Sequence, residues 1–214
     1  GVKMVDELDD STLQTILAVD IDRARELRAA FAKNYRHGHA SRDDIEEFAR
    51  HVDNLEGIEG LNSGPVGDFI NSRDPGNVGG ALDEVRRADE IGAENIERMS
   101  LEVYDGKERV GELDIQTESG KIVESKGSFG YRKVEVENQF ETKLSTMRDH
   151  PDVEFDGNTF ELRANKVNDP DMVESKISEW ETKVAESSDW NNADITIEVV
   201  DESTNTVITG QVEG

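Results

Sequence analysis

The chain has 214 residues, of which 34% are hydrophobic and none is cysteine, and its 49 acidic and 24 basic residues give a formal net charge of −25. The length suits one ordinary domain, or one domain with a small appendage. The lack of cysteine excludes disulfide bonds and thiolate metal sites. No apolar run approaches the ~20 residues of a membrane-spanning helix, and no signal peptide is visible.

In chain order, the first predicted elements are helices. Apolar residues at helical spacing predict one helix over residues 11–33, and Ser41 is the expected N-cap of a second helix. We read residues 1–60 as an N-terminal helical hairpin region. Residues 61–79, "LNSGPVGDFINSRDPGNVG", are rich in the residues of turns and predict a linker or an irregular loop.

Residues 80–214 predict a mixed α/β (α+β) domain. The expected elements are a helix at 80–92, strands at 95–105, 108–117 and 120–127, a helix at 136–150, a strand at 158–164, a helix at 169–187, and a hairpin of strands at 194–200 and 205–212. The order is therefore α-β-β-β-α-β, followed by a C-terminal α-β-β extension.

Charged residues interrupt the two apolar strands of "VGELDIQTESGKIVESKG", residues 110–127. Asp114 and Glu124, on neighbouring antiparallel strands, could reach one divalent cation, with the carbonyl of Ser125 as a third ligand. Lys126 points to the same face of its strand as Glu124. A cation polarises a phosphate and lowers the pKa of a water, so this grouping suits phosphodiester hydrolysis.

The spacing alone is weak evidence, because an acidic chain repeats it by chance. The pattern occurs at Asp105-Gly-Lys107, Glu124-Ser-Lys126, Glu141-Thr-Lys143, Glu174-Ser-Lys176 and Glu181-Thr-Lys183. Only the second ends an apolar strand whose hairpin partner carries an aspartate, and three of the others fall on predicted helices. The alternative is that Glu124 and Lys126 line the solvated face of an edge strand.

The block from about residue 80 to 165 resembles the PD-(D/E)xK nuclease superfamily, which has the restriction-endonuclease-like fold. Its core is a helix, a meander of three strands, a helix and a strand. The resemblance implies Asp114 as the metal-binding aspartate and Glu124-Ser-Lys126 as the E-x-K motif. The residues of this chain that would match further family positions are Glu84 (or Glu90) on the first core helix, Glu112, and Gln139 on the helix after the motif. The proline that leads the family motif is missing, since Gly111-Glu112-Leu113 precedes Asp114.

The stretch from Lys126 to Arg148 is net positive in a strongly negative chain. Its Gly-rich start carries Phe129, Tyr131, Arg132 and Lys133, which could hold a nucleic-acid strand by stacking and charge.

We therefore expect a nuclease that uses Mg²⁺ or Mn²⁺ and acts on DNA or RNA, with Asp114 and Glu124 as ligands, Lys126 activating water and Glu84 assisting. The chain begins with Gly1, and its organisation resembles the toxic effector modules of larger polymorphic toxins, which an immunity protein inhibits. The protein would then be exported within a larger effector, and otherwise cytoplasmic. The alternative is a non-catalytic interaction or structural module, a nuclease relic, in which Asp114, Glu124 and Lys126 lie apart.

The evenly spread acidic residues argue against disorder. Evenly acidic, folded proteins resemble those of salt-in halophilic microbes. At molar salt the Debye length is about 3 Å, so self-repulsion is screened. We expect a halophilic origin, with an acidic mesophilic protein as the alternative.

Overall fold

The computed structural model describes residues 10–19, 21–105, 107–155, 157–186 and 194–212. The chain forms two compact units, Gly1–Ser100 and Leu101–Gly214. Within the described residues it contains seven helices and one mixed six-stranded sheet. The class expected from the sequence, mixed α/β, is confirmed at this level.

The first unit is helical. Its helices are α1 (Asp10–Ala18), α2 (Ala24–His37), α3 (Arg42–Asn54), α4 (Pro65–Asn71) and α5 (Pro75–Ile91), followed by a 3₁₀ turn at Ala93–Asn95. Ser41 caps α3 as expected, because its hydroxyl accepts a hydrogen bond from the Asp44 N–H and the Asp44 carboxylate accepts one from the Ser41 N–H. This reciprocal pair is a capping box.

In the first unit the helix pattern differs from the sequence expectation in three places. Residues 11–33, predicted as one helix, belong to two helices. The stretch predicted as an irregular linker contains α4. Helix α5 begins at Pro75, five residues before the expected start at 80, because the Asp74 carboxylate caps it by accepting the Asn77 N–H at 3.0 Å.

Three phenylalanines show why α2, α3 and α4 pack together. Phe31, Phe48 and Phe69 have no solvent exposure, and their ring centroids lie 4.2 to 6.2 Å apart. The third ring comes from the segment that composition alone assigned to a linker. The N-terminal helices therefore have a core of their own.

The second unit contains most of the sheet. The strands are β1 (Ile96–Asp105), β2 (Glu108–Thr117), β3 (Ile122–Lys126), β4 (Asn158–Ala164), β5 (Ile195–Asp201) and β6 (Thr206–Val212), with α6 (Lys133–Asp149) between β3 and β4 and α7 (Pro170–Glu186) between β4 and β5. The spatial order equals the chain order, β1 to β6. Strands β3, β4 and β5 run parallel, while β2 and β6 pair antiparallel to their inner neighbours.

Helices α6 and α7 pack on the apolar face of this sheet. Phe140 and Leu144 of α6 and Ile177 of α7 belong to one buried cluster with residues such as Phe160 and Leu162 of β4. Sheet glycines allow close approach: a Cβ on Gly111 would lie 2.1 Å from Thr146 Oγ1 of α6. This contact sets the height of α6 above β2.

Candidate active site

A tight hairpin brings the two predicted carboxylates together. Its turn closes with hydrogen bonds from the Gly120 N–H to the Thr117 carbonyl at 2.8 Å and from the Thr117 N–H to the Lys121 carbonyl at 2.9 Å. The register that follows places Gln116 opposite Ile122 and Ile115 opposite Val123. The next residues on the two strands are Asp114 and Glu124.

Each of these carboxylates accepts a hydrogen bond from the backbone of the other strand. Glu124 Oε1 accepts the Asp114 N–H at 3.1 Å, and Asp114 Oδ2 accepts the Ser125 N–H at 2.8 Å. The Glu124 side chain is fully buried, and that of Asp114 is 18% exposed. Reciprocal bonding of this kind fixes both carboxylates before any ligand binds.

Lys143 of α6 completes the group. Its Nζ lies 2.6 Å from Glu124 Oε2 and 3.7 Å from Asp114 Oδ1, and it donates a hydrogen bond to the Glu112 carbonyl at 2.6 Å. We call Asp114, Glu124 and Lys143 the carboxylate–lysine cluster. The two carboxylates are therefore close enough to share one cationic atom.

Lys143 is not among the site residues expected from the sequence. Glu141-Thr-Lys143 falls on a predicted helix, where the spacing of the pattern has no meaning for a strand motif. Lys143 reaches the carboxylates through packing of α6 against β2. One signal in the sequence could have indicated the role of Lys143. It is a lysine on the helix face that otherwise bears the buried residues Phe140, Leu144 and Met147.

Burial and charge perturb the ionisation of the cluster. Burial raises the pKa of Glu124 to about 7, and the charge of Asp114 adds to the rise, while Lys143 and Lys126 oppose it. Burial alone would lower the pKa of Lys143, but the charges of Glu124 and Asp114 outweigh burial and raise that pKa. Lys143 therefore carries its charge at neutral pH, whereas Glu124 is poised between its two forms.

The donor set matches the ligands of a hard divalent cation, which takes one or two carboxylates with carbonyl and water oxygens. The Lys126 carbonyl accepts the Asn165 N–H at 2.9 Å on the β4 side. Because carbonyls alternate along a strand, the Ser125 carbonyl faces β2, the side on which Asp114 lies. Among the described residues no group of three or more acidic, histidine or cysteine side chains is placed to hold a metal, so a cation would depend on two carboxylates and this carbonyl.

Lys126 is half-buried and acts on Glu124 through its charge. By strand alternation it lies on the Glu124 face of β3. It is thus close enough to act on Glu124 by charge, and among the described residues it makes no ion pair with the carboxylates like that of Lys143.

The further acids expected from the family resemblance have other partners. Glu84 lies on α5 in the first unit and accepts a hydrogen bond from the Ser100 hydroxyl at 3.4 Å. Glu90 pairs with Arg87 at 2.6 Å, and the Glu112 carboxylate pairs with Arg109 at 2.9 Å. Glu112 contributes its backbone carbonyl to Lys143.

The two aromatic residues of the loop after β3 differ in their exposure to solvent. Phe129 is fully buried and packs against Phe140 with ring centroids 6.3 Å apart, so its ring is not available for stacking on a base. Tyr131 is 66% exposed, and Arg132 and Lys133 beside it are exposed. The surface expected to bind substrate is therefore formed by Tyr131, Arg132 and Lys133.

Gln139 lies on α6 one turn before Lys143, on the same side of the helix. Its Oε1 is buried and has no hydrogen-bond partner within the described part of the chain. A buried acceptor without a partner is costly, so this atom is a candidate contact for a bound water or substrate donor.

A second ionic cluster lies on the other face of the same strands. The buried Glu161 carboxylate accepts hydrogen bonds from Lys121 and Arg163, and Lys121 also donates to Glu198 at 3.0 Å. Glu161 is aligned with Val123, so it shares the face opposite to Glu124. Its carboxylate oxygens are both committed to neighbouring cations, which suits a structural role.

No protein-family model, curated protein or solved structure matches this chain at a significant level. None of the helices among the described residues is long and apolar enough to cross a membrane.

Proposed function

We propose that this chain is a divalent-cation-dependent nuclease that hydrolyses phosphodiester bonds of DNA or RNA. The observation that carries the proposal is that Asp114 and Glu124, on adjacent antiparallel strands, both contact one cationic atom, Lys143 Nζ. A place that holds a cation between two carboxylates has the ligands that Mg²⁺ or Mn²⁺ requires.

The order of elements supports the same proposal. From α5 to β4 the chain forms a helix, three strands, a helix and a strand. The restriction-endonuclease-like core of PD-(D/E)xK nucleases has this order, and the E-x-K motif of this chain lies on its third strand. Glu124 is also fully buried in the sheet and Asp114 is only 18% exposed there, and carboxylates in such positions are costly unless a cation accompanies them.

In this proposal Asp114, Glu124 and the Ser125 carbonyl hold the cation. When bound, a divalent cation polarises the phosphate and lowers the pKa of a water. Lys126 would orient the attacking water and offset negative charge on the phosphate oxygens as the water oxygen bonds to phosphorus and the bond to the leaving sugar oxygen breaks. The attacking water would release its proton to solvent, and the leaving sugar oxygen would take one up from solvent. Tyr131 stacks on a base, and Arg132 and Lys133 bind flanking phosphates.

One observation favours a second candidate. The Lys143 ammonium already lies between the two carboxylates and offsets part of their charge, so the cluster forms an internal ion-pair network. Such a network can serve conformational specificity rather than chemistry. In that case the protein is a non-catalytic interaction module, and the cluster holds α6 on the sheet.

The test is cleavage by the purified chain in high KCl. Plasmid DNA, single-stranded DNA and total RNA are each incubated with Mg²⁺, with Mn²⁺ or with EDTA. The variants are Asp114→Asn, Glu124→Gln and Lys126→Ala. Glu174→Gln is the matched control, because Glu174 belongs to another copy of the pattern and is exposed on α7.

The nuclease proposal expects cleavage of at least one substrate with metal, no cleavage in EDTA, loss of about 100-fold or more in the three site variants, and wild-type activity in Glu174→Gln. Equal inertness of folded wild type and variants on every substrate would favour the interaction module. Cleavage that persists in Asp114→Asn would place the activity outside this cluster.

A further inference from the structure

Lys143 is held where a ligand cation would be expected. Its ammonium meets three oxygens: Glu124 Oε2 at 2.6 Å, the Glu112 carbonyl at 2.6 Å and Asp114 Oδ1 at 3.7 Å. Two carboxylate oxygens and one carbonyl oxygen are also the kind of donors that bind a hard divalent cation. An ammonium has three donors and no acceptor; here it donates to the Glu112 carbonyl and forms ion pairs with Glu124 Oε2 and, at longer range, with Asp114 Oδ1.

A divalent ion and this ammonium cannot use the same oxygens together. Mg²⁺ binds its ligand oxygens at 2.0–2.1 Å, and Glu124 Oε2 already has Lys143 Nζ at 2.6 Å. Two positive charges on one oxygen would repel each other at close range, in a place where burial reduces screening by solvent. A divalent cation that binds through Glu124 Oε2 therefore has to displace the Lys143 ammonium from that oxygen.

We propose that Lys143 is a resident counter-ion of the cation site, and that a divalent cation binds only when the Lys143 ammonium withdraws. This inference rests on the cation site of the proposed function. The side chain of Lys143 is 14% exposed, so one side of it reaches solvent, and its four-carbon stem is flexible. The resting protein therefore holds its carboxylates partly neutralised, and cation occupancy requires a rearrangement of one side chain.

The arrangement around the cluster supports withdrawal of Lys143 rather than of the carboxylates. Asp114 and Glu124 are each tied to the backbone of the opposite strand. The only non-ionic bond of the Lys143 ammonium among the described residues is to the Glu112 carbonyl. Gln139 Oε1 lies one helical turn away on the same side of α6 and is a buried acceptor without a hydrogen-bond partner among the described residues, so it is the acceptor to which we expect the withdrawn ammonium to move.

The experiment is Mn²⁺ binding without nucleic acid, measured by electron paramagnetic resonance of free Mn²⁺ and by calorimetry. Lys143→Met removes the charge and keeps an unbranched apolar side chain about as long as the lysine stem. Lys166→Met removes the same charge from an exposed position of the second unit and is the matched control. Lys143→Arg keeps the charge.

We expect Lys143→Met to bind Mn²⁺ about tenfold or more tightly than wild type, which is the low end of what one adjacent unit charge does to the proton affinity of a carboxylate. Lys166→Met and Lys143→Arg should bind no more tightly than wild type. The added affinity should disappear in Asp114→Asn/Lys143→Met. Equal Mn²⁺ affinity of wild type and Lys143→Met would overturn the inference.

A measurement on the wild-type protein covers the case in which Lys143→Met does not fold. Lysine ammonium resonances are followed by ¹⁵N-correlated NMR during titration with Mg²⁺. The Lys143 signal should lose its protection and shift as Mg²⁺ saturates the site. Saturation by Mg²⁺ with an unchanged Lys143 signal would overturn the inference.

Failure of this inference differs from failure of the nuclease proposal. Tighter Mn²⁺ binding by Lys143→Met without cleavage of any substrate would retain the counter-ion and reject the nuclease. Metal-dependent cleavage with unchanged Mn²⁺ affinity in Lys143→Met would retain the nuclease proposal and reject the counter-ion role of Lys143.

Discussion

Gly111 of β2 lies directly beneath Thr146 of α6, so close that a Cβ on the glycine would be 2.1 Å from Thr146 Oγ1 and 2.7 Å from its Cγ2. Thr146 is buried and donates its hydroxyl to the Thr142 carbonyl at 2.7 Å, so it has little room to move. Thr146 is one turn after Lys143. The glycine therefore sets the distance at which Lys143 meets the strands.

The first prediction concerns this contact. Gly111→Ala should lower the free energy of unfolding by about 1–3 kcal/mol, as overpacking does elsewhere, because α6 has to lift from β2. Gly80→Ala is the control, since a Cβ there meets nothing within 4 Å on the exposed side of α5, and it should stabilise by about 0.5–1 kcal/mol. Urea unfolding measures both. Unchanged stability of Gly111→Ala would show that the helix adjusts freely.

The second prediction uses two aromatic residues of one loop. Phe129→Ala should cost about 3–5 kcal/mol of stability because it opens a cavity in the core, whereas Tyr131→Ala should change stability by less than about 0.5 kcal/mol. Tyr131→Ala should instead weaken binding of single-stranded nucleic acid by about 1–3 kcal/mol, the usual contribution of a stacked base.

Fluorescence anisotropy with a labelled oligonucleotide in EDTA measures this binding without cleavage. Tyr131→Phe is the control, because it keeps the stacking ring and should bind as wild type does. Wild-type affinity in Tyr131→Ala would remove Tyr131 from the substrate surface.

The third prediction concerns the pH dependence of stability. The pKa of Glu124 is about 7 in the folded protein and about 4.3 in an unfolded chain. Folding therefore favours the protonated form, and the stability from this protonation is fully present below about pH 4.3. It is lost as pH rises through about 7. Glu124→Gln stays neutral and does not lose it.

The stability of Glu124→Gln relative to wild type, measured by urea unfolding in EDTA, should therefore rise between pH 5 and pH 8. Glu174→Gln, which removes a charge from the exposed face of α7, reports the general effect of one negative charge fewer. If both variants show the same relative stability at every pH, Glu124 does not titrate in this range.

The fourth prediction follows from the net charge of −25. Raising KCl from 0.1 M to 2 M reduces the Debye length from about 10 Å to below about 3 Å and should raise the melting temperature by about 5 °C or more, which corresponds to about 2 kcal/mol for a chain of this length. Differential scanning calorimetry gives the value, and sucrose at equal osmolality separates screening from solute exclusion. A melting temperature that falls or stays level with KCl would count against the expectation of a halophilic origin.

Much of the second unit was predictable because its signals are local. The strands from β1 to β6 lie within two residues of their expected bounds, since β-branched and aromatic residues alternate there between Gly and Asp turns. The hairpin turn is closed by Gly120, which has a φ of +88°. Because this turn is recognisable in the sequence, the adjacency of Asp114 and Glu124 could be predicted before the structure was known.

The first unit was harder because its decisive signals are weak or tertiary. Helix α4 contains Pro65 and Gly67 and lies in a Gly-rich stretch, so composition predicted a loop. Burial of Phe69 against Phe31 and Phe48 supplies the stability that helix propensity does not. Asp74 followed by Pro75 is a typical start of a helix, but the glycines that follow in α5 favoured the prediction of a loop.

Only the part of the site that lies on the hairpin of β2 and β3 could be predicted from the sequence. Asp114 and Glu124 are ten residues apart and joined by a turn, whereas Lys143 comes from a helix whose docking depends on Gly111 and on the buried cluster. Burial of Phe129 two residues before the exposed Tyr131 is likewise a result of packing that no periodicity in a loop reveals.

The strand order, which repeats the chain order from β1 to β6, has a consequence for how the protein is made. Every residue of the carboxylate–lysine cluster precedes residue 144. All three residues are therefore synthesised before β4, α7, β5 and β6. Each later strand then joins the edge left by its predecessor. The last third of the chain thus contributes no atom to the cluster. It affects the cluster only indirectly, by packing that holds α6 in place on the sheet.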